Sequence, residues 1–187
     1  MKLKITKFKS VKSTNDEAIK LIRSDICFLG LVSTNSQTKG KGTMGKKWIS
    51  HKGNIFISIF FKVNLIKIKI ENYLVINANI IKKILNEYTK KIIKIKKPND
   101  LLIDGKKICG ILQEVIDHKK EKYLITGIGI NTKISPKNKN FKSTSLKNNS
   151  NKNINNKIII DKICKNYDKL IYDINNFNSL YVKKKYK

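Results

Sequence analysis

The chain has 187 residues, 40% hydrophobic content and a formal net charge of +28, which suits one globular domain and excludes an intrinsically disordered chain. Lys occurs 40 times, Ile 33 times and Asn 22 times, but Arg only once. Codon drift in an AT-rich genome explains this charge better than nucleic-acid recognition, which favours the bidentate contacts of Arg.

The absence of targeting patterns and the spacing of the cysteines argue against membrane, secreted, zinc-binding and disulfide-rich proteins. No apolar run is long enough to cross a bilayer, and the first seven residues lack the pattern of a secretory signal. The three Cys are widely spaced, which argues against a zinc site or a disulfide framework. We therefore expect a cytoplasmic protein with no membrane association.

Hydrophobic patterning predicts a mixed α+β domain with a largely antiparallel sheet and helices packed on one side. Thr14 and Glu17 fit a helix capping box, and Asp104-Gly105 suits the type I′ turn of a β-hairpin. The predicted elements are, in chain order, a helix at 15–24, a strand at 27–33, a polar glycine-rich loop at 37–48, a strand at 54–63, a helix at 71–91, a strand at 92–96, a hairpin of 101–103 and 107–115, a charged turn at 117–122, a strand at 123–130, a mobile or irregular passage at 133–157, and closing helices at 158–174 and 177–186.

The glycine-rich loop is the first candidate for chemistry. It reads Gln-Thr-Lys-Gly-Lys-Gly-Thr-Met-Gly-Lys-Lys-Trp over residues 37–48. Closely spaced glycines let backbone N–H groups approach an anion, and the lysines neutralise it, so the pattern predicts a cradle for phosphate or carboxylate. The spacing matches neither a Walker loop nor a dinucleotide fingerprint. On glycine content alone, a lysine-rich surface loop without a ligand explains the segment equally well.

The second candidate is the hairpin and the residues before it. Asn99 and Asp100 follow Pro98 at the start of a turn, and capping that turn is their ordinary role. Lys107 alternates with apolar residues on the return strand, where an outward-facing side chain is usual. Gly110 weakens a strand unless a ligand or another backbone lies close to it, so we expect such an approach there.

Five motifs in order connect these segments with a known family. They are Ser13-Thr14-Asn15, the Gln-Thr-x-Gly-Lys-Gly-x-x-Gly-Lys-x-Trp loop, Pro98-Asn99-Asp100-Leu101, Lys107-Ile-x-Gly-Ile-Leu-x-Glu114 and Gly127-Ile128-Gly129-Ile130-Asn131, with a weaker echo at Ser143-Thr144-Ser145-Leu146. Together they resemble the biotin protein ligases, specifically the biotin acetyl-CoA-carboxylase ligase type. By this resemblance residues 1–187 form one catalytic domain, without an N-terminal DNA-binding domain or a full C-terminal β-barrel domain. No specific DNA binding is expected.

The resemblance implies a two-step ligase. The carboxylate of biotin attacks the α-phosphorus of ATP, with Mg²⁺ on the phosphates, and gives biotinyl-AMP and pyrophosphate. The ε-amine of one lysine on the apo form of a biotin carboxyl carrier protein of acetyl-CoA carboxylase then attacks the acyl carbon and releases AMP. No covalent enzyme intermediate and no protein-held metal are implied, so catalysis rests on positioning and fixed cations. A homodimer is also compatible with the family, whose members dimerise through sheet edges.

The resemblance also assigns roles to individual residues. Lys107 and Lys41 would be catalytic, with Lys107 as the main electrostatic catalyst. Biotin would contact Ser13, Thr14, Asn15, Gln37, Gly40, Lys41, Gly42, Thr43, Lys107 and Gly110. The nucleotide and its phosphates would lie near Lys46, Trp48, Asn99, Asp100 and Asn131. For Trp48, core packing is an equally good explanation.

Four positions depart from the usual pattern of the family. Lys97 stands where a Trp usually precedes Pro-Asn-Asp, Lys41 and Lys46 replace Arg, and Thr43 replaces a common Arg of the loop. Lys keeps the charge and loses bidentate geometry. Thr43 removes a phosphate partner, so we expect biotinyl-AMP to be held less tightly.

Two alternatives stay open at this point. A lipoate or octanoate ligase or transferase shares the general fold and modifies a similar carrier domain. From a different class, a basic nucleic-acid-binding module would show affinity that falls steeply with salt and needs no nucleotide.

Overall fold

A computed structural model describes residues 2–137 and 141–186 of the chain. Its strands are β1 (Lys4–Phe8), β2 (Gly30–Thr34), β3 (Ile55–Val63), β4 (Ile93–Lys96), β5 (Asp100–Ile103), β6 (Lys106–His118) and β7 (Glu121–Ile130). Its α-helices are α1 (Thr14–Arg23), α2 (Ile70–Asn86), α3 (Asn156–Asn176) and α4 (Ser179–Lys185). None of the helices in these ranges combines the length and the apolar character needed to cross a membrane.

The described strands form one seven-stranded sheet with the order β1-β2-β3-β7-β6-β5-β4. β1 and β2 are parallel, and every other neighbouring pair is antiparallel. The predicted α+β class with a largely antiparallel sheet is therefore confirmed. The hairpin of β5 and β6 and its pairing with β7 are confirmed as well.

The prediction that the helices lie on one side is wrong. The odd-numbered residues of β3 belong to a large apolar cluster with α2 and α3. On the opposite face, Ala18 and Ile22 of α1 pack with Val32, Phe60 and Ile125. Because β1 and β2 are parallel, the chain must cross over between them, and α1 makes that crossover on the second face.

Several element boundaries also differ from the prediction. β1 was not predicted, because its residues Lys-Ile-Thr-Lys-Phe include few apolar side chains and are mostly exposed at the edge of the sheet. β2 begins three residues later than expected, since Ile26 N and Cys27 N both turn back to donate to the Leu21 carbonyl. Helix α2 ends five residues early, at Asn86.

The two charged or irregular passages also differ from expectation. The turn predicted over 117–122 is confined to Lys119 and Lys120, which both have positive φ. β6 and β7 therefore pair as far as His118 and Glu121. Among its described residues, the passage at 133–157 is irregular except for a short 3-10 helix at Lys147–Asn149 and the first two residues of α3. Leu146 within it is fully buried, and residues 138–140 lie outside the described residues.

A buried polar chain joins α2, α3 and β7 and predicts a stability effect. Tyr167 OH donates to Asn77 Oδ1 at 2.7 Å, and Asn77 Nδ2 donates to Thr126 Oγ1 at 3.2 Å. Burial raises the pKa of Tyr167, so its hydroxyl stays protonated. We expect Tyr167→Phe to lower the free energy of unfolding by about 1–3 kcal/mol, because Asn77 Oδ1 loses its donor inside the core. Urea denaturation measures the change. The exposed control Tyr172→Phe should shift it by less than about 0.5 kcal/mol, and equal effects of the two variants would contradict the prediction.

Candidate functional site

A cavity of about 960 Å³ lies on the α1 face of the sheet, a volume in the range of small-molecule sites. Every predicted site residue except Gly40 and Asn131 lines it. The lining residues predicted from the sequence are Ser13, Thr14, Asn15, Gln37, Lys41, Gly42, Thr43, Lys46, Trp48, Asn99, Asp100, Lys107 and Gly110. The structure therefore gathers segments far apart in the chain around one space.

One end of the cavity is polar, uncharged and buried. The Thr14 N–H donates to Gln37 Oε1 at 2.8 Å, and the Thr14 hydroxyl lies 3.2 Å from the same oxygen. Ser58 Oγ lies 2.7 Å from Thr14 Oγ1 and also contacts Asn15 Oδ1, and its single proton can serve one of them. Ser13 is the N-cap of α1, yet within the described chain its side chain accepts no capping bond. Its hydroxyl is thus free to face a ligand.

The floor of the cavity is backbone. Gly110 of β6 and Gly129 of β7 are paired neighbours in the sheet, and the Trp48 indole lies directly over both. A Cβ added at Gly129 would lie 2.4 Å from Trp48 Cε2, and one added at Gly110 would lie 2.7 Å from Trp48 Cζ3. At Gly127 an added Cβ would lie 2.4 Å from Asn15 Oδ1. The expected close approach at Gly110 is therefore made by an aromatic side chain of the chain itself.

The segment 40–48, here called the glycine ribbon, folds back on itself along one side of the cavity. Trp48 N donates to the Gly40 carbonyl at 2.9 Å, and Gly42 N donates to the Lys46 carbonyl at 2.7 Å. Its tip turns through Met44 and Gly45, which both have positive φ. Gly40 lies behind the lining, where an added Cβ would meet the Trp48 carbonyl oxygen at 2.7 Å. The ribbon is therefore a hairpin-like turn closed by two backbone hydrogen bonds.

Lys107 is the central cation of the cavity. Its Nζ lies 2.6 Å from Asp100 Oδ1, and both side chains are about one-fifth exposed. The same ammonium lies 5.3 Å from the centroid of the Trp48 ring and 5.7 Å from that of Phe141, within the range of cation–π attraction. Lys107 is thus neither an outward surface lysine nor a fully buried one.

Asn99 and Asn131 support this arrangement through hydrogen bonds to the backbone of β6. Asn99 Nδ2 donates to the Ile111 carbonyl at 2.8 Å and the Asn99 carbonyl accepts from Ile111 N at 2.9 Å, which fixes the start of β5 against β6. Asn131 is 1% exposed. Its side chain reaches the Lys107 carbonyl at 3.4 Å. Asn131 therefore lies beneath Lys107, outside the cavity wall.

Lys41 and Lys46 take different positions from Lys107. The Lys41 ammonium contacts the carboxylate of Asp16, and this hydrogen bond raises the pKa of Lys41, against the opposing effect of desolvation. Lys46 is exposed at the cavity mouth. The ribbon lysines therefore ring the cavity at its α1 side and its mouth.

Sequence reasoning missed several residues of the site. Ser58 carried a signal, because it is the one polar residue between Ile55 and Phe61 in an otherwise apolar strand. The alternating glycines of β7 carried another, since glycine inside a strand marks close approach. Phe141 and Asp16 gave no local signal, and their roles follow from tertiary contacts.

These features define a class of protein before any comparison. The polar end would bind an uncharged hydrogen-bonding group, while Lys107 and the ribbon lysines favour an anion. The cavity therefore suits one elongated small molecule, or two joined ones, with a polar head and an anionic part.

Comparison with known proteins shows the family. The sequence pattern of the Biotin/lipoate A/B protein ligase family matches residues 7–131, and the chain belongs to this family. The resemblance stated from the five motifs is thereby confirmed. The chain is 31% identical over 128 residues to the bifunctional ligase/repressor BirA of Bacillus subtilis (strain 168), covering 67% of this chain and 39% of that protein. For BirA of Escherichia coli (strain K12) the identity is 27% over 97 residues, covering 51% of this chain and 30% of that protein. The matches thus span well under half the length of these relatives.

Solved structures extend the likeness over nearly the whole chain. Biotin protein ligase from Aquifex aeolicus in complex with biotin and ATP superposes with a TM-score of 0.78 at 25% identity, covering 98% of this chain and 76% of that chain. Biotin protein ligase from Leishmania major in complex with biotinyl-5-AMP gives a TM-score of 0.74 at 23% identity, covering 97% and 79%. At 23% identity, the similarity to the Leishmania major structure shows a shared fold alone.

Proposed function

We propose that the protein is an ATP-dependent biotin ligase, which forms biotinyl-AMP and transfers biotin to a lysine of an apo biotin carboxyl carrier protein of acetyl-CoA carboxylase. The observation that carries the proposal is one continuous cavity that joins a buried uncharged polar end to Lys107 and the ribbon lysines. Biotin has a ureido head and a carboxylate tail, so its two ends match the two ends of the cavity. The relatives with biotin, ATP or biotinyl-5-AMP bound support this.

The polar end favours biotin over lipoate within the family. A ureido group offers two N–H donors and one carbonyl acceptor, whereas a dithiolane ring offers no donor. Ser13, Thr14, Asn15 and Gln37 would pair with the ureido group, and a ligand without such groups would bury them without partners, which costs free energy.

The first step would occur at Lys107. A carboxylate oxygen of biotin attacks the α-phosphorus of ATP, the bond to the β-phosphate oxygen breaks, and pyrophosphate leaves. Lys107 would neutralise the oxygens that gain charge, and the glycine floor lets the reacting groups approach the sheet backbone. Mg²⁺ would arrive on the phosphates of ATP, and Asp100 is the one carboxylate among the described residues that line the cavity.

The second step needs an amine at the cavity mouth. The carrier lysine, as its neutral amine, forms the amide bond with the acyl carbon and gives up one proton to water. The bond from the acyl carbon to the phosphate oxygen breaks, and AMP leaves with its electron pair. The open rim near Lys46 would admit this lysine. We further propose the cytoplasm as the site of action and leave a homodimer as a prediction.

A direct assay separates this function from its rivals. The protein is incubated with ATP, Mg²⁺, an apo carrier domain and either biotin, lipoate or octanoate, and the modified lysine is identified by mass spectrometry. ATP-dependent labelling with biotin supports the proposal. Labelling with lipoate or octanoate alone would transfer the function to the lipoate branch of the family. Salt-sensitive binding of nucleic acid without any labelling would overturn the ligase.

The Thr at position 43 leads us to expect that biotinyl-AMP dissociates rapidly from the protein. Thr43 lines the cavity where an Arg is common in the family, so one charged phosphate partner is missing. We expect Thr43→Arg to slow the dissociation of preformed biotinyl-AMP about ten- to a hundredfold, since a hydrogen bond to a charged group contributes ~1.5–3 kcal/mol. A chase with unlabelled biotin measures the rate, and labelling of bystander lysines should fall in parallel.

Met44→Arg is the matched control for this prediction. Met44 follows Thr43 in the sequence and is 86% exposed at the ribbon tip. An Arg at position 44 would therefore add the same charge away from the cavity. We expect its dissociation rate to stay near that of the parent protein. An unchanged rate in Thr43→Arg, or an equal slowing in both variants, would refute the idea.

A further inference from the structure

One ion pair connects the glycine ribbon to helix α1. Lys41 Nζ contacts Asp16 Oδ1, and Asp16 lies in the first turn of α1. The two residues before it, Thr14 and Asn15, form the buried polar end of the cavity. The pair therefore links the ribbon directly to the part of the site proposed to hold the head of biotin.

Apart from the Trp48 side chain, which packs on Gly110 and Gly129, the rest of the ribbon is held mainly by its own backbone. Its stem is anchored before the cavity, where Thr38 N donates to the Val11 carbonyl at 3.0 Å and Lys39 N to the Lys12 carbonyl at 2.8 Å. Within the described ranges, the contact of Lys41 with Asp16 is the one side-chain ion pair that ties residues 40–48 to another element.

The charge of the ribbon makes this contact important. Residues 40–48 include three lysines and no acidic residue, and these lysines repel one another when no phosphate is bound. Asp16 supplies an opposing charge at close range, and Glu114 adds a second that favours the charged form of Lys41. Glu114 itself accepts a hydrogen bond from Asn15 Nδ2 at 2.6 Å. The acidic partners of the ribbon thus converge beside the polar end.

We propose that Asp16 is a positioning residue, which closes the glycine ribbon over the buried polar end before any nucleotide is bound and so sets the affinity for biotin. Asp16 acts through Lys41 and does not touch the reacting atoms. The identity of the ligand rests on the proposed function, whereas the closure itself can be measured in the ligand-free protein.

The closure has its own optical probe, because Trp48 at the end of the ribbon is the single tryptophan of the chain. In the free protein we expect Asp16→Asn to increase acrylamide quenching of Trp48 fluorescence. The matched control is Glu17→Gln, which removes a charge from the same helical turn and an ion pair with Lys20 of 2.7 Å. It should leave the quenching unchanged.

Kinetics then separate positioning from chemistry. Asp16→Asn should raise the KM for biotin about two- to fivefold, the range expected from a partly exposed ion pair, with kcat unchanged. Asp16→Glu should restore much of the loss. In a Lys41→Gln background the same substitution should have no further effect, which tests that Asp16 acts through Lys41.

The outcomes distinguish this proposal from the ligase function. Equal quenching in Asp16→Asn and Glu17→Gln overturns the closure, even in an active ligase. A fall in kcat with unchanged KM, or a full effect in the Lys41→Gln background, also overturns it. If the quenching difference is observed in a protein that never adenylates biotin, the closure is supported and the proposed function is refuted.

Discussion

Lys107→Met should lower the rate of biotinyl-AMP formation about 10²–10³-fold, the loss typical of removing one preorganised group that stabilises developing charge. The lysine sits in the cavity within 2.6 Å of Asp100, where water is partly excluded and its charge is weakly screened. Biotin-dependent exchange of pyrophosphate into ATP measures the step without a carrier protein. Lys107→Arg keeps the charge in a different geometry and should retain part of the activity.

The neighbouring lysine supplies the control. Lys106 is exposed on the same strand, so Lys106→Met changes net charge and composition equally and should leave the exchange rate unaltered. Thermal unfolding of both variants checks that each is folded. If folded Lys107→Met exchanges pyrophosphate at a rate within tenfold of the parent protein, the proposed role of Lys107 in catalysis is wrong.

Two glycines of β7 should divide the cavity into a biotin end and a nucleotide end. In Gly127→Ala the new Cβ would lie 2.4 Å from Asn15 Oδ1, and Asn15 is 2% exposed and bonded to Glu114. Asn15 must therefore move, and we expect the KM for biotin to rise at least about tenfold, equivalent to ~1.4 kcal/mol. In Gly129→Ala the new Cβ would lie 2.4 Å from the Trp48 ring, and the KM for ATP should rise instead.

The two variants control each other. They make the same substitution on the same face of the same strand, two residues apart, so a general loss of stability would affect both. The pyrophosphate-exchange assay gives both KM values for each variant. If both substitutions raise the same KM, the proposed division of the cavity is wrong.

Local patterns predicted most of the elements, because their signals depend on residues close in sequence. The Asp104-Gly105 turn placed the hairpin, and the apolar spacing of 71–91 placed α2. The failures came from tertiary effects. β1 is an edge strand whose pairing with β2 depends on a distant segment, and the side on which α1 packs depends on a parallel crossover that no local pattern records.

The site was likewise predictable where it depends on sequence motifs and unpredictable where it depends on tertiary contacts. The motifs named the segments that line the cavity, and Lys107 and Asp100 lie together as a hairpin geometry allows. The pairing of Lys41 with Asp16 and the seat of Trp48 on Gly110 and Gly129 depend on how the ribbon folds across the sheet. Asn131, predicted beside the phosphates, is 1% exposed and does not line the cavity, and its side chain reaches the Lys107 carbonyl.

The alternation along β3 has a consequence for insertions and deletions. Ile57, Ile59 and Phe61 point into the large apolar cluster. Ser58, between Ile57 and Ile59, points to α1 and contacts the side chains of Thr14 and Asn15. On this face Ser58 is a single polar position beside Phe60, which packs against α1. A shift of pairing by a single residue would turn Ser58 into the large apolar cluster and remove its contacts with the polar residues of α1. Deleting one residue of β3 would thus damage folding and binding together, whereas most single substitutions there would affect only one of them.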